Sequence, residues 1–286
     1  MNCSAQSQSL SLPSSPVGLV AGNGGFPMEF VRCAKAHSID VHVVAHRGET
    51  DPAIEQIAKS VVWVKVGQLG GIIKALVKAR VKEVAFVGGI KPTRLKNLSL
   101  DFAAIGLLAR VRSVRDDALL KAVASEVESH GIAVISPQVF LDRSLARPGL
   151  FSCRSLSTIE VSDAQLGWMA SKHLGSIDVG QTVVVREGVV VAVEAIEGTD
   201  ATIRRVGNLV RSGSVVVKTS KPRQDLRLDL PAIGPQTIDS MVESGCQVLI
   251  IESERAFIME PEVVAAKART EGIVIKVVAS PDELLS

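Results

Sequence analysis

The segment VGLVAGNGGFPMEF, residues 17–30, decides the fold of the first half of the chain. Its first five residues, 17–21, form an apolar run that predicts a buried strand, and a helix is predicted from residue 28. The glycine-rich turn between them joins the strand directly to the helix. Such a strand–turn–helix unit indicates a layered α/β fold with the turn at the carboxyl end of a strand.

The same alternation of strand and helix continues from this segment to residue 135. Apolar residues recur every three or four positions in the helical stretches, as at 69–80. The predicted strands are 17–21, 41–45, 61–66, 83–87 and 132–135, and the predicted helices are 28–37, 69–80, 101–109 and 117–130. Apolar strands separated by helices indicate a parallel sheet that is covered on both faces. Residues 17–145 are therefore predicted to form a Rossmann-like, substrate-binding domain.

The second half of the chain is also α/β but contains an antiparallel element. Residues 146–158 lose the periodicity and gain Pro, Gly and Ser, which predicts a linker. Two Val-rich runs joined by a short turn predict a hairpin in the catalytic domain that follows, residues 159–286. The predicted strands are 182–185, 189–195, 215–219, 248–252 and 273–278, the helices are 163–174, 199–210, 236–244 and 262–271, and 220–234 is a long polar loop.

The composition is that of a globular protein and excludes several functions. Of 286 residues, 47% are apolar and 22% charged, and 32 Lys and Arg against 30 Asp and Glu leave a net charge of +2. This weak charge and the lack of Tyr argue against nucleic-acid binding. Four scattered cysteines indicate reduced thiols in the cytoplasm. Residues 1–16 have no apolar signal region and are predicted to be a disordered leader.

Two turns at strand ends are candidate phosphate sites in the first half. Gly22, Asn23 and Gly24 precede the first helix, where free N–H groups attract anions. Gly88 and Lys91 follow another strand, and the lysine could neutralise a diphosphate. A proline stands at the third glycine position of the dinucleotide fingerprint, and the second strand ends without an acid to bind a ribose. A turn without a ligand and a nucleotide contact without NAD specificity both fit.

Two segments of the second half combine carboxylates with anion-binding groups. Gly198, Thr199 and Asp200 open a helix whose N–H groups form an anion cradle, and the acid indicates a cation between protein and phosphate. In the polar loop, Lys and Arg alternate with Asp. Asp225 and Asp229 could bind a divalent cation or orient a water while the basic residues clamp phosphoryl oxygens. An acidic helix cap and a solvated surface loop are the simpler alternatives.

Together these motifs resemble one family, the UDP-2,3-diacylglucosamine pyrophosphatases of the LpxI type, which act in lipid A biosynthesis. The matching segments are VAGNGGFP at 20–27, DDALL at 116–120, AIEGTDATIRR at 195–205, VVVK at 215–218 and KPRQDLRLDLPAIGPQTI at 221–238. The resemblance covers nearly all of residues 17–280. The two longest motifs are specific in order and spacing.

The resemblance implies a hydrolase that splits the diphosphate of UDP-2,3-diacylglucosamine into UMP and 2,3-diacylglucosamine 1-phosphate (lipid X), with a divalent cation such as Mg²⁺. It implies that Asp225 is catalytic, through metal binding or water activation. Because their carboxylates lie among basic residues, Asp225, Asp200 and Asp229 are the predicted metal ligands. The predicted substrate-binding residues are Gly22, Asn23, Gly24, Gly88, Lys91, Gly198, Thr199, Asp200, Lys218, Gln224 and Arg227. A cytoplasmic enzyme with loose, peripheral contact to the inner membrane is expected, and a homodimer is a further expectation.

Two other functions compete with this one. The Rossmann-like start is also typical of a nicotinamide-dependent oxidoreductase, which predicts an acid about 20 residues after the glycines. A non-catalytic nucleotide- or lipid-binding module on the same fold is the second alternative. It predicts that loss of the Asp225 carboxylate leaves function intact.

Overall fold

A computed structural model describes residues 11–90, 99–110, 116–151 and 154–285 of the chain. The contacts divide the chain into two compact units. The first unit is drawn from Met1–Arg112 and Lys121–Asp142, and the second from Ser113–Leu120 and Arg143–Ser286. Each unit contains its own β-sheet.

The first unit is built on a five-stranded, entirely parallel sheet in the order β3-β2-β1-β4-β5. Its strands are β1 Val17–Ala21, β2 Val41–His46, β3 Ser60–Val64, β4 Glu83–Val87 and β5 Ala133–Val134. The helices between residues 11 and 142 are α1 Phe26–Ala36, α2 Leu69–Lys78, α3 Phe102–Arg110, α4 Asp116–Glu128 and α5 Gln138–Leu141. All five residues of the central strand β1 are buried, as expected for a strand covered on both faces.

The second unit contains a six-stranded mixed sheet in the order β6-β13-β11-β9-β7-β8. Its strands are β6 Gly149–Leu150, β7 Thr182–Arg186, β8 Val189–Val193, β9 Ser214–Lys218, β11 Cys246–Glu252 and β13 Val274–Val278, and a separate pair is β10 Ala232–Ile233 with β12 Phe257–Ile258. The helices are α6 Thr158–Ser176, α7 Thr199–Val206, α8 Pro235–Ser244 and α9 Pro261–Thr270. Strands β9, β11 and β13 run parallel, whereas β7 and β8 form an antiparallel hairpin.

Alternation along the strands gives the second sheet two apolar faces. Val215 and Val217 of β9 pack with Trp168 of α6, whereas Val216 between them belongs to the cluster that includes Ile203 of α7. A period of two residues is what a strand buried on both faces requires.

These observations confirm the predicted fold class, an α/β chain with a parallel first sheet and an antiparallel hairpin in the second. The bounds of several elements differ: β3 is Ser60–Val64 and not 61–66, and α7 ends at Val206 and not at residue 210. Helix α6 begins at Thr158, five residues before its predicted start, because Ser157 and Glu160 form a reciprocal capping box. Strand β6 lies inside the predicted linker 146–158 and pairs with β13. In the described ranges, no helix is long and apolar enough to cross a membrane.

Candidate functional site

The two glycine turns of the first unit are packed against each other. The Gly22 N–H donates to the Val87 carbonyl and the Asn23 N–H to the Gly89 carbonyl, both at 2.8 Å. A Cβ at Gly22 would lie 2.3 Å from the Gly89 carbonyl oxygen, and one at Gly88 would lie 2.4 Å from the Asn23 oxygen. Close approach of the two backbones therefore explains the glycines at 22 and 88 without a ligand.

A buried polar group lies beside these turns. Asn23 Nδ2 donates to Glu49 Oε2 at 2.9 Å, and Thr50 Oγ1 donates to the Ala21 carbonyl at 2.6 Å. His46 Nδ1 lies 2.9 Å from the same carbonyl, which can only accept, so this nitrogen carries the proton. Burial lowers the pKa of His46, and the Ala21 hydrogen bond and the Glu49 charge offset only part of that effect.

Glu49 is an acid that the sequence analysis did not find. An acid that binds a ribose is expected at the end of the second strand, where His46 stands. Glu49 follows after a short turn, is 8% exposed and contacts Asn23 of the glycine turn. The sequence does contain a sign of this position. The Arg47-Gly48 turn lets the chain bend back towards the sheet, and Glu49 follows it directly. Lys91, the other predicted binding residue of this unit, lies outside the described residues.

The second unit has a buried charged network where β9 meets the start of α7. Lys218, with its side chain 3% exposed, donates to Thr199 Oγ1 at 2.6 Å and to Thr182 Oγ1 at 3.2 Å. Thr199 in turn donates to Glu194 Oε1 at 2.9 Å, and Glu194 Oε2 lies 3.9 Å from the ammonium. The structure therefore brings the predicted residues Thr199 and Lys218 into direct contact.

Electrostatics keeps the acid of this network ionised. Burial by itself raises the pKa of Glu194, but the Lys218 charge acts in the opposite direction. Hydrogen bonds from Thr182, Thr199 and the Gln181 N–H add to the lowering, so the pKa lies below its ordinary value. Glu194 could not be predicted from the sequence, because it is separated from Lys218 along the chain and belongs to no recognisable motif.

Gly198 and Asp200 flank Thr199 at the same helix start. Gly198 precedes the first turn of α7 with a φ of +82°, a conformation that glycine adopts without strain. The Asp200 carboxylate accepts a hydrogen bond from Thr237 Oγ1 of α8 at 3.0 Å. Helix α7 thus begins with its backbone N–H groups next to the buried lysine, an arrangement that favours an anion.

The polar loop after β9 holds its carboxylates in two separate contacts. The Arg227 side chain donates to both carboxylate oxygens of Asp225, with Nε 3.1 Å from Oδ1 and Nη2 2.8 Å from Oδ2. Asp229 accepts from Gln224 Nε2 at 2.6 Å, and Gln224 Oε1 accepts from the Lys221 N–H. The loop is therefore folded on itself rather than solvated throughout.

The three predicted metal ligands have different neighbours. Asp200 accepts from Thr237, Asp225 from Arg227 and Asp229 from Gln224. Within the part of the chain that the structure describes, no three His, Cys, Asp or Glu side chains come together as a metal site. Among the described residues, the three carboxylates therefore do not form a preformed metal cage.

Comparison with solved structures finds distant likenesses. A biotin carboxylase–ATP complex from Campylobacter jejuni is 13% identical, with 68% of this chain and 41% of that chain covered and a TM-score of 0.28. An N5-carboxyaminoimidazole synthetase from Staphylococcus aureus complexed with ADP is 10% identical, with coverages of 61% and 38% and a TM-score of 0.25. The chain spans less than half the length of either structure, and likeness at this level carries no functional conclusion.

Comparison of sequences gives a much closer match. A Caulobacter vibrioides protein named UDP-2,3-diacylglucosamine pyrophosphatase LpxI is 30% identical over 270 residues, which cover 91% of this chain and 96% of that protein. The profile of the LpxI N-terminal domain matches residues 16–144 and that of the LpxI C-terminal domain matches residues 147–276. Both halves are thus matched in the same order, and the chain belongs to the LpxI family.

Proposed function

We propose that this protein hydrolyses the diphosphate bond of UDP-2,3-diacylglucosamine to UMP and lipid X, a step in lipid A biosynthesis. The observation that carries the proposal is the end-to-end match to a protein of that name, together with both LpxI domain profiles. Family membership, and not the lack of an acid near the glycine turn, is the reason to set the oxidoreductase alternative aside.

The start of α7 supports a role in holding the diphosphate. Free N–H groups at a helix start attract phosphate, and a buried cation strengthens that attraction because little water screens it. Lys218 supplies the cation and fixes Thr199 through a 2.6 Å hydrogen bond. In our proposal Gly198, Thr199 and Asp200 contact the diphosphate with Lys218 behind them.

The Asp225 carboxylate is the proposed general base. A water oxygen bonds to one phosphorus while the bond from that phosphorus to the bridging oxygen breaks, and the other phosphoryl group leaves with the bridging oxygen. Asp225 would accept the proton that the attacking water loses. Arg227 holds both carboxylate oxygens, which orients Asp225 and limits its rotation. Gln224 and Arg227 are proposed to contact the substrate from the same loop.

A divalent cation such as Mg²⁺ is part of the proposal. When bound, it would neutralise charge that develops on the phosphoryl oxygens. Mg²⁺ is commonly held by one or two carboxylates together with substrate phosphates, so separate ligands are compatible with this role. Asp225, Asp200 and Asp229 are the proposed ligands.

The first unit has an exposed apolar surface that supports peripheral contact with a membrane. Phe102 at the start of α3 is 93% exposed, and Ile105 and Val77 lie more than half exposed. Lys74 and Lys78 of α2 are exposed as well, and cations beside apolar side chains favour an anionic lipid surface. We propose a cytoplasmic enzyme that contacts the inner membrane in this way; the homodimer stays a prediction.

The test is hydrolysis of UDP-2,3-diacylglucosamine in ¹⁸O-labelled water by the full chain, with Mg²⁺ and after exhaustive chelation. We expect one labelled product: lipid X if the β phosphorus is attacked, UMP if the α phosphorus is. Asp225→Ala should lower turnover by at least ~10²-fold while substrate still binds.

The matched control is Asp239→Ala, which removes a partly exposed carboxylate on α8 that pairs with Lys267 and should leave turnover unchanged. Absence of cleavage by the unmodified chain would overturn the proposed activity and favour the binding module. Full activity after chelation would overturn the cation, and near-normal turnover of Asp225→Ala would remove Asp225 from the mechanism.

A further inference from the structure

The loop that carries Asp225 begins at Ser220, a residue whose N–H, carbonyl and hydroxyl groups all form hydrogen bonds. Ser220 is 1% exposed and follows the end of β9 by two residues. Its N–H and its Oγ donate to Glu252 Oε2 at 2.7 and 2.9 Å, and its carbonyl accepts from Lys172 Nζ at 3.0 Å. Two side chains thus engage the backbone donor, the backbone acceptor and the hydroxyl of one residue.

These two side chains also form an ion pair with each other. Lys172 Nζ lies 2.8 and 2.6 Å from the two oxygens of Glu252 and 5.8 Å from the ring centroid of Trp168. Arg255 Nε lies 3.7 Å from Glu252 Oε1 at the solvent side. The Glu252 side chain is 8% exposed and that of Lys172 27%. The pair is therefore largely shielded from water and geometrically defined.

The elements explain why the pair meets Ser220. Strands β9 and β11 are parallel, with Lys218 opposite Ile251, so their carboxyl ends lie at the same edge of the sheet. Glu252 is the last residue of β11, and α6 brings Lys172 to that edge. The pair occupies the point where the loop leaves the sheet.

The far end of the same loop is fixed by the segment that follows Glu252. The Phe257 N–H donates to the Pro231 carbonyl at 2.7 Å, and β10 pairs with β12 directly after it. Residues 221–230 thus lie between two contacts with residues 252–258, one at Ser220 and one at Pro231. Lys221 also forms an ion pair with Asp178. Release of the contact at Ser220 would let the Asp225 carboxylate shift, and a shift of about 1 Å at a reacting group can cost about 10²-fold in rate.

We propose that Lys172 and Glu252 are positioning residues for Asp225, which they set in place through Ser220. This inference rests on the proposed function, because it takes Asp225 as the catalytic carboxylate. An apolar pair of equal volume could fill the same space and be at least as favourable for stability. An apolar pair could not accept a hydrogen bond from the Ser220 N–H and donate one to the Ser220 carbonyl. These two hydrogen bonds therefore explain why a charged pair occupies this position.

The test compares Glu252→Gln, Lys172→Met and the double variant with the unmodified chain. Steady-state kinetics with UDP-2,3-diacylglucosamine gives kcat and KM, and hydrogen–deuterium exchange of peptides covering 219–231 gives the order of the loop. We expect kcat to fall about 10–100-fold with KM within about threefold, and exchange to increase in this loop but not elsewhere in the second unit. The double variant should be no slower than the slower single variant, because the two residues act as one unit.

Glu243→Gln is the matched control, since Glu243 pairs with Arg204 at 3.0 Å on the surface of the same unit; neither kcat nor exchange should change. The inference is overturned if Glu252→Gln keeps kcat within twofold, or if exchange rises across the whole second unit, which would mark a merely structural role. If the unmodified chain does not hydrolyse the substrate, the proposed function fails and this inference with it, whereas a normal rate in Glu252→Gln removes only the inference.

Discussion

The carboxyl ends of neighbouring strands, which form the carboxyl edge of each sheet, are held together by different interactions in the two units. In the first unit, the ends of β1 and β4 meet through backbone hydrogen bonds between two glycine turns. In the second unit, the ends of β9 and β11 are held by the buried ion pair Lys218–Glu194 and by the partly buried ion pair Lys172–Glu252. The first arrangement depends on the absence of side chains and the second on their charge.

This difference changes what a motif means in each unit. A glycine at 22 or 88 is required because any Cβ would collide with backbone, so it says little about a ligand. Burying the charge of Lys218 costs free energy unless the lysine is paired. Its position beside the start of α7 favours binding of an anion there. Trp63 lies in the first unit and Trp168 in the second, so variants with a single Trp report on the two edges separately.

The largest effect is expected for Lys218→Met. The substitution leaves the Glu194 carboxylate buried without its cation, which should lower the stability of the second unit by about 3–5 kcal/mol. Denaturant unfolding followed by Trp168 fluorescence, in a Trp63→Phe background, measures it. Lys218→Met combined with Glu194→Met should recover part of the loss. A loss below about 1 kcal/mol in the single variant would show that this edge does not depend on the charge pair.

A smaller effect is expected for Gly22→Ala, which tests the backbone edge. The new Cβ would meet the Gly89 carbonyl, and overpacking of this kind typically costs about 1–3 kcal/mol. Trp63 fluorescence in a Trp168→Phe background reports the change. Gly106→Ala in α3 is the control, because there an added Cβ meets no described atom within 4 Å and alanine favours a helix. Equal stability of the two variants would contradict close packing as the reason for Gly22.

Strongly patterned elements could be predicted from the sequence, and most of the described two-residue strands could not. Strands β1 and β4 have their predicted bounds, since each is a short, mainly apolar run between turns. The two-residue strand β5 lies inside the predicted strand 132–135, whereas β6, β10 and β12 were not predicted, because two residues show no periodicity. Tertiary pairing with β13, and of β10 with β12, creates them.

For the candidate site, residues in local motifs could be predicted from the sequence, but the residues that contact and position them could not. Thr199 and Lys218 were both predicted, and the structure joins them, but Glu194 between them was not foreseen. Lys172 and Glu252 are 80 residues apart along the chain. Their contact exists only because β11 and α6 end at the edge where β9 ends, and a single sequence carries no sign of that.

The smallest effect expected is a difference between the units in their response to acid. Burial places the pKa of His46 below its ordinary value of 6.5, so the unfolded chain binds this proton more readily and the first unit loses stability as pH falls through 6.5. In the second unit, the Arg154 hydrogen bond is the main cause that lowers the pKa of Glu160 from 4.5 to about 2. That contribution is complete above about pH 4.5 and is lost only as pH falls towards 2. Between pH 7.5 and 5.5 the unfolding midpoint reported by Trp63 should therefore fall while that reported by Trp168 changes little, and His46→Gln should remove the fall. A parallel decline of both midpoints, or a decline that persists in His46→Gln, would mean that burial of this histidine is not what distinguishes the two edges.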